Sequence, residues 1–351
     1  MKHWGKALFG LAVTAILLWW VLRNESPAEI MANIARGNFW LLGASVVIAT
    51  SGFMIRAWRW KVLLAPVRAD TALRSRFAAV AIGFMTNNLL PARAGEIARP
   101  YALSRVEPVP FSAAFGSLVV ERFMDGSVLL LFLIIPVMTP GFPASDSLSQ
   151  GWGAGLLRAA VIGVVAVLAA LVAMALMPRR FVRAAEWSSR WLPERLRGPA
   201  LSMLESFLDS MAIMREPRLL VLAFVWTFLL WAWQGLSFWL GMLAFDIDTG
   251  FVSAIFTEAV VGFGVAVPSA PGFFGTFHFA SNFAISTVYG VDGAQSLAFA
   301  FGYHFGGWIP ITMIGLYYAW ALGLSLGEVG SPGKDASADD AQEAEATSET
   351  S

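Results

Sequence analysis

Long apolar runs constrain this chain more than any other feature of its sequence. Hydrophobic residues make up 57% of the 351 residues and charged residues only 14%. A helix of about 20 apolar residues crosses a bilayer, and a soluble protein would not need so many such runs. The sequence therefore predicts an all-α polytopic membrane protein with about six full transmembrane helices, at 7–22, 39–58, 111–137, 156–177, 219–244 and 295–325.

Two further apolar stretches are short for a span. One covers 77–90 and ends at Pro91; the other covers 251–267 and ends at Pro268. Each continues as Pro-x-x-x-Gly, written "PARAG" in the first and "PSAPG" in the second. Proline stops a helix and glycine permits an abrupt change of direction. The pattern predicts two re-entrant hairpins, whose non-helical backbone is tolerated where protein or water lines it.

The distribution of basic residues favours this topology. With a cytoplasmic N-terminus and two re-entrant hairpins, the cytoplasmic segments hold 20 of the 24 Lys and Arg residues, as the positive-inside rule requires. These predicted segments are 1–6, 56–76, 91–110, 178–218 and the C-terminal tail. A full span at 77–90 would place two basic loops on opposite sides. A multi-pass membrane protein with both termini cytoplasmic is therefore predicted.

This topology divides the membrane domain, residues 1–325, into two similar units. Residues 39–137 read as a span, a hairpin entering from the inside, and a second span. Residues 219–325 read as a span, a hairpin entering from the outside, and a span. The single span at 156–177 separates the units and reverses the second. Such an inverted repeat places the binding site of many transporters between the two halves.

Three charged residues inside the span 111–137 are the strongest site candidates. Glu121 and Asp125 are four residues apart and share a helix face, and Arg122 is close enough in sequence to reach Asp125. An ionisable group at the bilayer centre costs about 2.5–3.5 kcal/mol, so all three must face protein, water or one another. Two interpretations stay open and are compatible: a buried ion pair that joins helices, or pathway residues with Arg122 meeting an anion.

The second unit offers polar candidates of its own. Tyr303 and His304 lie at the corresponding depth of the last span, His278 follows the second hairpin turn, and Glu258 lies in the first arm of that hairpin. Each histidine is interpreted either as a hydrogen-bonded helix contact or as a proton carrier near neutral pH.

The first hairpin turn places positive charge beside a predicted helix start. Arg93 and Arg99 flank this start, and Glu96 is positioned to orient one of them. The N–H groups of a helix beginning after Gly95 would favour an anion. The alternative interpretation is a cytoplasmic turn whose arginines lie among lipid headgroups.

Several classes of function are disfavoured by what the sequence lacks. The formal net charge is zero, which gives no sign of nucleic-acid binding. There are no cysteines and only three histidines, and we find no Walker loop and no HExxH motif. We therefore expect no metal and no cofactor. A membrane-embedded transferase using Glu121 or Asp125 as base is a weaker hypothesis.

Three spaced motifs resemble the lysylphosphatidylglycerol synthase transmembrane-region family, a flippase-like domain also found in multiple peptide resistance factor proteins. They are "NNLLPARAGEIARP", "VVERFMDG" and "AVPSAPGFFGTFHFA", and the resemblance covers about residues 5–325. It implies a polytopic inner-membrane protein that moves a lipid or a lipid-linked headgroup between leaflets. The matching positions are Asn88, Pro91, Arg93, Gly95, Glu96, Arg99, Glu121, Arg122, Asp125, Pro268, Pro271, Gly272 and Gly275.

The chain departs from the full-length synthases at its C-terminus. It ends about 25 residues after the last predicted span, so the soluble aminoacyl-transferase domain is expected to be absent and lipid aminoacylation is not expected. Residues 326–351 are acidic and free of large apolar side chains, and are predicted to be a disordered tail. An alternative function is a scaffold that holds a separate lipid or sugar transferase through 178–218, an amphipathic cytoplasmic segment, and this tail.

Overall fold

The computed structural model describes residues 2–91, 93–139, 142–143, 216–267 and 269–330, with the single positions 162, 177 and 180. Within these ranges the chain is helical and contains no strand, which confirms the all-α prediction. The helices are α1 Lys2–Leu22, α2 Pro27–Arg36, α3 Phe39–Leu64, α4 Leu73–Leu89, α5 Gly95–Ser104, α6 Phe111–Val137, α7 Pro217–Leu243, α8 Phe251–Gly264, α9 Thr276–Asn282, α10 Gly293–Ala321 and α11 Leu326–Gly330, with a 3₁₀ turn at Pro271–Phe273 and a π-helical turn at Phe283–Val288.

Among the described residues, three helices are long and apolar enough to cross a membrane. They are α3, α7 and α10, which match the predicted spans 39–58, 219–244 and 295–325. The first of these predictions ended too early, because α3 continues to Leu64 and keeps two arginines inside the helix. The last span contains Pro310, and α10 runs through this residue without interruption.

The three other predicted spans agree with the structure to different extents. The 27 residues of α6 match the predicted span 111–137, but they include three charged side chains. The predicted span 7–22 forms most of α1, whose apolar part Phe9–Leu22 is short for a full crossing. The span 156–177 lies outside the described residues apart from 162 and 177, as does most of the amphipathic segment 178–218.

The beginning of the predicted disordered tail is helical. Residues 326–330 form α11, which packs against α5 and α4. The remainder of the tail, from 331 onward, lies outside the described residues.

The antiparallel pair of α3 and α7 forms the centre of the molecule. Ser237 of α7 donates to the carbonyl of Ser45 at 2.7 Å, and the Trp233 indole donates to Ser51 at 2.9 Å. Further along, Arg59 of α3 approaches Thr227 of α7 at 3.2 Å. As the contacts move forward along α3 they move backward along α7, so the two helices run in opposite directions.

Each hairpin packs on the last long helix of the other unit. The first hairpin consists of α4 and α5, and α4 packs on α10, where Gly315 faces Met85. The second hairpin consists of α8 and α9, and α8 packs on α6, where Gly262 faces Leu129. In both places the absence of a side chain on glycine lets the helices approach closely.

Each unit also builds its own apolar core. The first core is formed mainly by α3, α4, α5 and α6 around the fully buried Trp60 and Leu63. The second is formed by α7, α8, α9 and α10 around Phe299 and Ile285. Hydrophobic burial thus stabilises each unit separately, and the packing of each hairpin on a helix of the other unit joins the two.

Apart from the two hairpin turns, the described loops fall at two opposite ends of the bundle. At one end, which we call the basic end, Glu107 accepts from the N–H of Ala72 at 2.9 Å and joins the loops 65–72 and 105–110. At the other end the N–H of Asn38 donates to Ala244 at 2.7 Å, and Gln295 donates to Phe245 at 2.8 Å.

The tips of the two hairpins lie near the middle of α1 and in the central part of α10. Thr14, near the midpoint of α1, donates to the carbonyl of Phe274 at 2.8 Å. Asn88, near the other tip, donates to Thr312 in the central part of α10 at 2.8 Å. The two tips also touch, because the Arg93 guanidinium lies 3.4 Å from the carbonyl oxygen of Ala266.

These contacts correct part of the predicted cytoplasmic segments 91–110 and 56–76, because three of their arginines do not lie in surface loops. Arg93 reaches the opposite hairpin tip, Arg99 is 3% exposed, and Arg59 is fully buried within α3. The positive-inside rule counts Arg59, Arg93 and Arg99 as residues of the cytoplasmic surface. The structure places them inside the helical bundle.

Glycine lets the arms of the first hairpin cross closely. A Cβ on Gly95 would collide with the carbonyl oxygen of Gly83 and with the Asn87 side chain, whose Oδ1 accepts from the Gly95 N–H at 2.8 Å. The second hairpin uses glycines for its turn, since Gly272 and Gly275 have φ of 71° and 86°. Pro271 begins the 3₁₀ turn there, whereas Pro268 lies outside the described residues.

Gly95→Ala is expected to lower the free energy of unfolding by about 1–3 kcal/mol, because the added methyl group overpacks the crossing of α4 and α5. Chemical denaturation of the purified protein in detergent measures the change. Gly43→Ala is the matched control, since a Cβ at that position in α3 meets no atom within 4 Å. An equal effect of both variants would contradict the proposed role of this crossing.

Candidate functional site

A cavity of about 550 Å³ lies between the two hairpins, at the depth where their tips meet. Residues of both hairpins line it, together with parts of α3, α6, α7 and α10. Because its walls come from both units, neither unit encloses the space alone. The inverted-repeat hypothesis placed a site in this position.

Behind one wall, Arg59 is held between two carboxylates. Its Nη1 lies 2.5 Å from Asp125 Oδ1, and its Nη2 lies 3.0 Å from Glu121 Oε1. The side chains of Arg59 and Glu121 are fully buried and that of Asp125 is 5% exposed. A buried charge without a counter-charge is strongly destabilising, so this group fixes α3 against α6.

Arg99 attaches the returning arm of the first hairpin to the same carboxylate. Its two terminal nitrogens lie 2.7 and 3.0 Å from the two oxygens of Glu121, in the bidentate geometry that guanidinium and carboxylate prefer. Its guanidinium also stacks 4.0 Å from the ring centroid of Trp60, whose indole donates to Ser117. Glu121 therefore joins α3, α5 and α6 and does not line the cavity.

Arg122 is turned toward the cavity, one residue along the helix from this buried group. Its side chain is 38% exposed and lies 2.9 Å from Glu121, 3.6 Å from Asp125 and 3.8 Å from Glu96. Glu96 also pairs with Arg93 at 3.3 Å, as the sequence suggested. The first interpretation of the triad therefore describes Glu121, which joins helices, whereas Arg122 presents a charge to the cavity.

Arg56 adds a further charge that the sequence analysis missed. It precedes Arg59 by three residues on the same face of α3, lines the cavity, and lies 4.0 Å from Asp125. Its Nη1 is buried without a hydrogen-bond partner among the described residues. Trp231 of α7 completes the surroundings of Asp125 by donating at 2.9 Å.

Positive charge exceeds negative charge in this cluster. Its members are the guanidinium groups of Arg56, Arg59, Arg93, Arg99 and Arg122 and the carboxylates of Glu96, Glu121 and Asp125. Five cations thus face three anions, an excess of two positive charges. In the low dielectric of a protein interior, such an excess attracts an anion.

The N-terminus of α5 does not meet an anion in the way the sequence suggested. The N–H of Gly95 donates to Asn87, and those of Glu96 and Ile97 donate to the carbonyls of Arg93 and Ala94 at 3.0 and 3.1 Å. These donors are occupied within the turn. Guanidinium groups, not backbone N–H groups, therefore carry the positive charge of this wall.

The second unit supplies the opposite wall. Glu258, Tyr303 and His304 line the cavity, and the Tyr303 hydroxyl lies 2.9 Å from that of Ser237. His278 is fully buried and is absent from the cavity wall; its ring lies 5.1 Å from that of His304. Neither ring nitrogen of His278 has a hydrogen-bond partner in the described part of the chain.

Most of the predicted site residues thus meet at one place. The predicted residues on the cavity wall are Asn88, Arg93, Glu96, Arg99, Arg122, Asp125, Glu258, Tyr303 and His304. Glu121 lies behind the wall and His278 away from it. The sequence analysis missed Arg56, Arg59, Asn87 and Gln234. No group of three His, Cys, Asp or Glu residues suited to a metal ion occurs within the described ranges.

Comparison with known proteins gives the family. A family model for the lysylphosphatidylglycerol synthase TM region matches residues 7–315. The chain belongs to this family. Its membership agrees with the three motifs, two of which contribute Arg93, Glu96, Arg99, Glu121, Arg122 and Asp125 to the cavity wall and the group behind it.

Named relatives of this family member are archaeal proteins that match over part of their length. A UPF0104 membrane protein of Methanocaldococcus jannaschii is 30% identical over 104 residues, which is 28% of this chain and 31% of the relative. A protein named glycosyltransferase AglD of Haloferax volcanii is 26% identical over 141 residues, 40% of this chain and 22% of the relative. No solved structure matches the chain.

Arg59→Met is expected to destabilise this family member by about 3–5 kcal/mol, because it leaves buried carboxylates without their shared counter-charge. Urea or thermal unfolding in detergent gives the measurement. Arg68→Met serves as control, since Arg68 pairs with Asp70 at the surface with side chains 39% and 74% exposed. This surface pair is worth about 1 kcal/mol or less, and similar losses in the two variants would refute the anchoring role of Arg59.

Proposed function

We propose that the chain is a flippase-like transporter, which moves a phospholipid or a polyprenyl-phosphate-linked lipid between the leaflets of a prokaryotic cytoplasmic membrane. The observation that carries this proposal is the cationic cavity between the hairpin tips. A polar cavity at this depth gives a lipid headgroup a route through the hydrocarbon region. Membership of the lysylphosphatidylglycerol synthase TM region family supports a role in lipid or glycan transfer.

The phosphate group is the part of the lipid that the cluster fits. Arg56 and Arg122 both line the cavity, and the surplus charge belongs to guanidinium groups. Guanidinium groups bind phosphate oxygens with two parallel hydrogen bonds. A phosphate between these side chains would balance the surplus and give Arg56 Nη1 the acceptor that it lacks.

Lipid movement would result from motion of the two inverted repeats relative to each other. Each unit has its own core, and each hairpin packs on the last helix of the other unit. Rocking of one unit against the other about the α3–α7 pair would open the cavity to one leaflet and then to the other. The two hairpins would be re-entrant, since their tips lie at the middle of α1 and α10.

The charges of the described loops support an orientation with the basic end in the cytoplasm. Arg68, Arg74 and Arg218 lie at that end, and Arg23 and Arg36 lie at the opposite end. This agrees with the excess of basic residues that cytoplasmic loops carry. Both termini would then be cytoplasmic.

A second candidate function is a membrane subunit that works with a separate lipid or sugar transferase. The similarity to a protein named glycosyltransferase AglD favours it. Acid–base chemistry by Glu121 or Asp125 has less support, because both carboxylates are engaged by Arg59 and neighbouring arginines. We therefore assign no catalytic residue.

Arg122→Ala is expected to slow lipid translocation at least about tenfold, since a hydrogen bond to a charged group contributes about 1.5–3 kcal/mol. Protein in vesicles is supplied with a fluorescent phospholipid, and its accessibility to a membrane-impermeant quencher gives the rate. Arg36→Ala, which removes an exposed arginine of α2, is the control and should keep the wild-type rate. Equal rates for all three proteins would contradict the role of Arg122.

The topology can be tested with single cysteines, because the chain contains none of its own. Cysteines replacing Arg74 and Pro108, at the base of the first hairpin, should react from the cytoplasmic face with an impermeant maleimide. A cysteine replacing Asp248 should react from the opposite face. Labelling of Arg74→Cys and Pro108→Cys from opposite faces would instead show that the first hairpin crosses the membrane.

A further inference from the structure

Glu258 is a buried acid that has no hydrogen-bond partner among the described residues. Its residue is 2% exposed and lines the cavity, yet neither carboxylate oxygen has a hydrogen-bond partner in the part of the chain that the structure describes. Arg56 lines the same cavity but lies nearest to Asp125, and Glu258 forms no ion pair within the described ranges. Burying an unpaired polar or charged group costs free energy, so this carboxyl group is available for a ligand.

A second unpaired acceptor lies on α7, the helix that the Glu258 side chain packs against, and it faces Gly52 of α3. Glu258 Oε2 is 3.2 Å from the point where a Cβ of Gly235 would be, so its carboxylate lies directly against α7. The preceding residue, Gln234, also lines the cavity, and its Oε1 is buried without a hydrogen-bond partner among the described residues. Glu258 and Gln234 therefore carry acceptor oxygens that no donor among the described residues satisfies.

The two walls have complementary requirements. The wall formed by α3 and α6 has surplus guanidinium groups and needs an anion, whereas Glu258 and Gln234 need hydrogen-bond donors. A phosphate alone would satisfy only the first wall. A headgroup that carries both a phosphate and O–H or N–H donors would satisfy both.

We propose that Glu258 and Gln234 form a headgroup subsite that selects lipids whose headgroup, beyond the phosphate, carries hydroxyl or ammonium donors. This inference rests on the proposed function, in which Arg56 and Arg122 hold the phosphate. The substrate class is a phosphate-linked lipid with a sugar, polyol or primary-amine headgroup. Lipids whose headgroup is fully methylated or lacks donors are poor substrates.

Two matched pairs of tail-labelled lipids test the subsite in proteoliposomes. Phosphatidylethanolamine and phosphatidylcholine carry the same charges, but only the first has N–H donors. Phosphatidylglycerol and phosphatidylmethanol are both anionic, but only the first has headgroup hydroxyls. Wild-type protein is expected to translocate the donor-bearing member of at least one pair about tenfold faster or more, as expected for a charge-assisted hydrogen bond. The pair that shows the preference identifies the donor as ammonium or hydroxyl.

Glu258→Gln is expected to reduce this preference to about threefold or less, because the neutral amide accepts a weaker hydrogen bond. Gln234→Met, a second variant of similar volume, should reduce it partially. Glu29→Gln removes an exposed carboxylate on α2 and is the matched control; its preference should equal that of wild type. A Glu258→Gln protein that slows all four lipids equally, with its preference unchanged, would overturn the subsite.

A binding measurement separates failure of this inference from failure of the proposed function. The same four lipids are added to the wild-type and variant proteins in detergent, and the shift in melting temperature reports binding. Selective stabilisation by donor-bearing lipids that disappears in Glu258→Gln, without translocation by wild type, would keep the subsite and refute transport. Translocation by wild type without any headgroup preference would keep transport and refute the subsite.

Discussion

The structure depends on a guanidinium group that has no access to water. Arg59 must find its counter-charges inside the protein, and it finds them on Glu121 and Asp125 of α6. Through Glu121 the same network holds Arg99, and with it the returning arm of the first hairpin. Because these carboxylates are already shared among several arginines, the remaining positive charge of the cluster is left facing the cavity. One buried interaction thus sets both the arrangement of three helices and the electrostatics of the site.

The sequence predicted the parts of this arrangement that depend on local spacing. Glu121, Arg122 and Asp125 lie within five residues of an apolar helix, so their proximity follows from helical periodicity. The prolines and glycines likewise predicted where each hairpin turns. The helical class and the family followed from apolar runs and short motifs, both of which are continuous in sequence.

What the sequence did not predict depends on contacts between distant segments. Arg59 was assigned to a loop because an arginine after an apolar run usually marks the end of a span, and its partner Asp125 is 66 residues away. The occupied N–H group of Gly95 depends on the Asn87 side chain, which becomes visible only when α4 and α5 are packed. Spacing rules cannot supply the three-dimensional pairing that makes a buried charge tolerable.

The meeting of the two hairpin tips has a consequence for the length of each arm. In the proposed topology, each hairpin covers about half of the bilayer, and the contact between Arg93 and Ala266 closes the remaining distance. The lengths of the two hairpins therefore have to match. A helical turn added to one hairpin would collide with the other, and a turn removed would leave a gap between them. The two hairpins together would then separate the aqueous compartments on the two sides of the membrane. Neither repeat could do so alone.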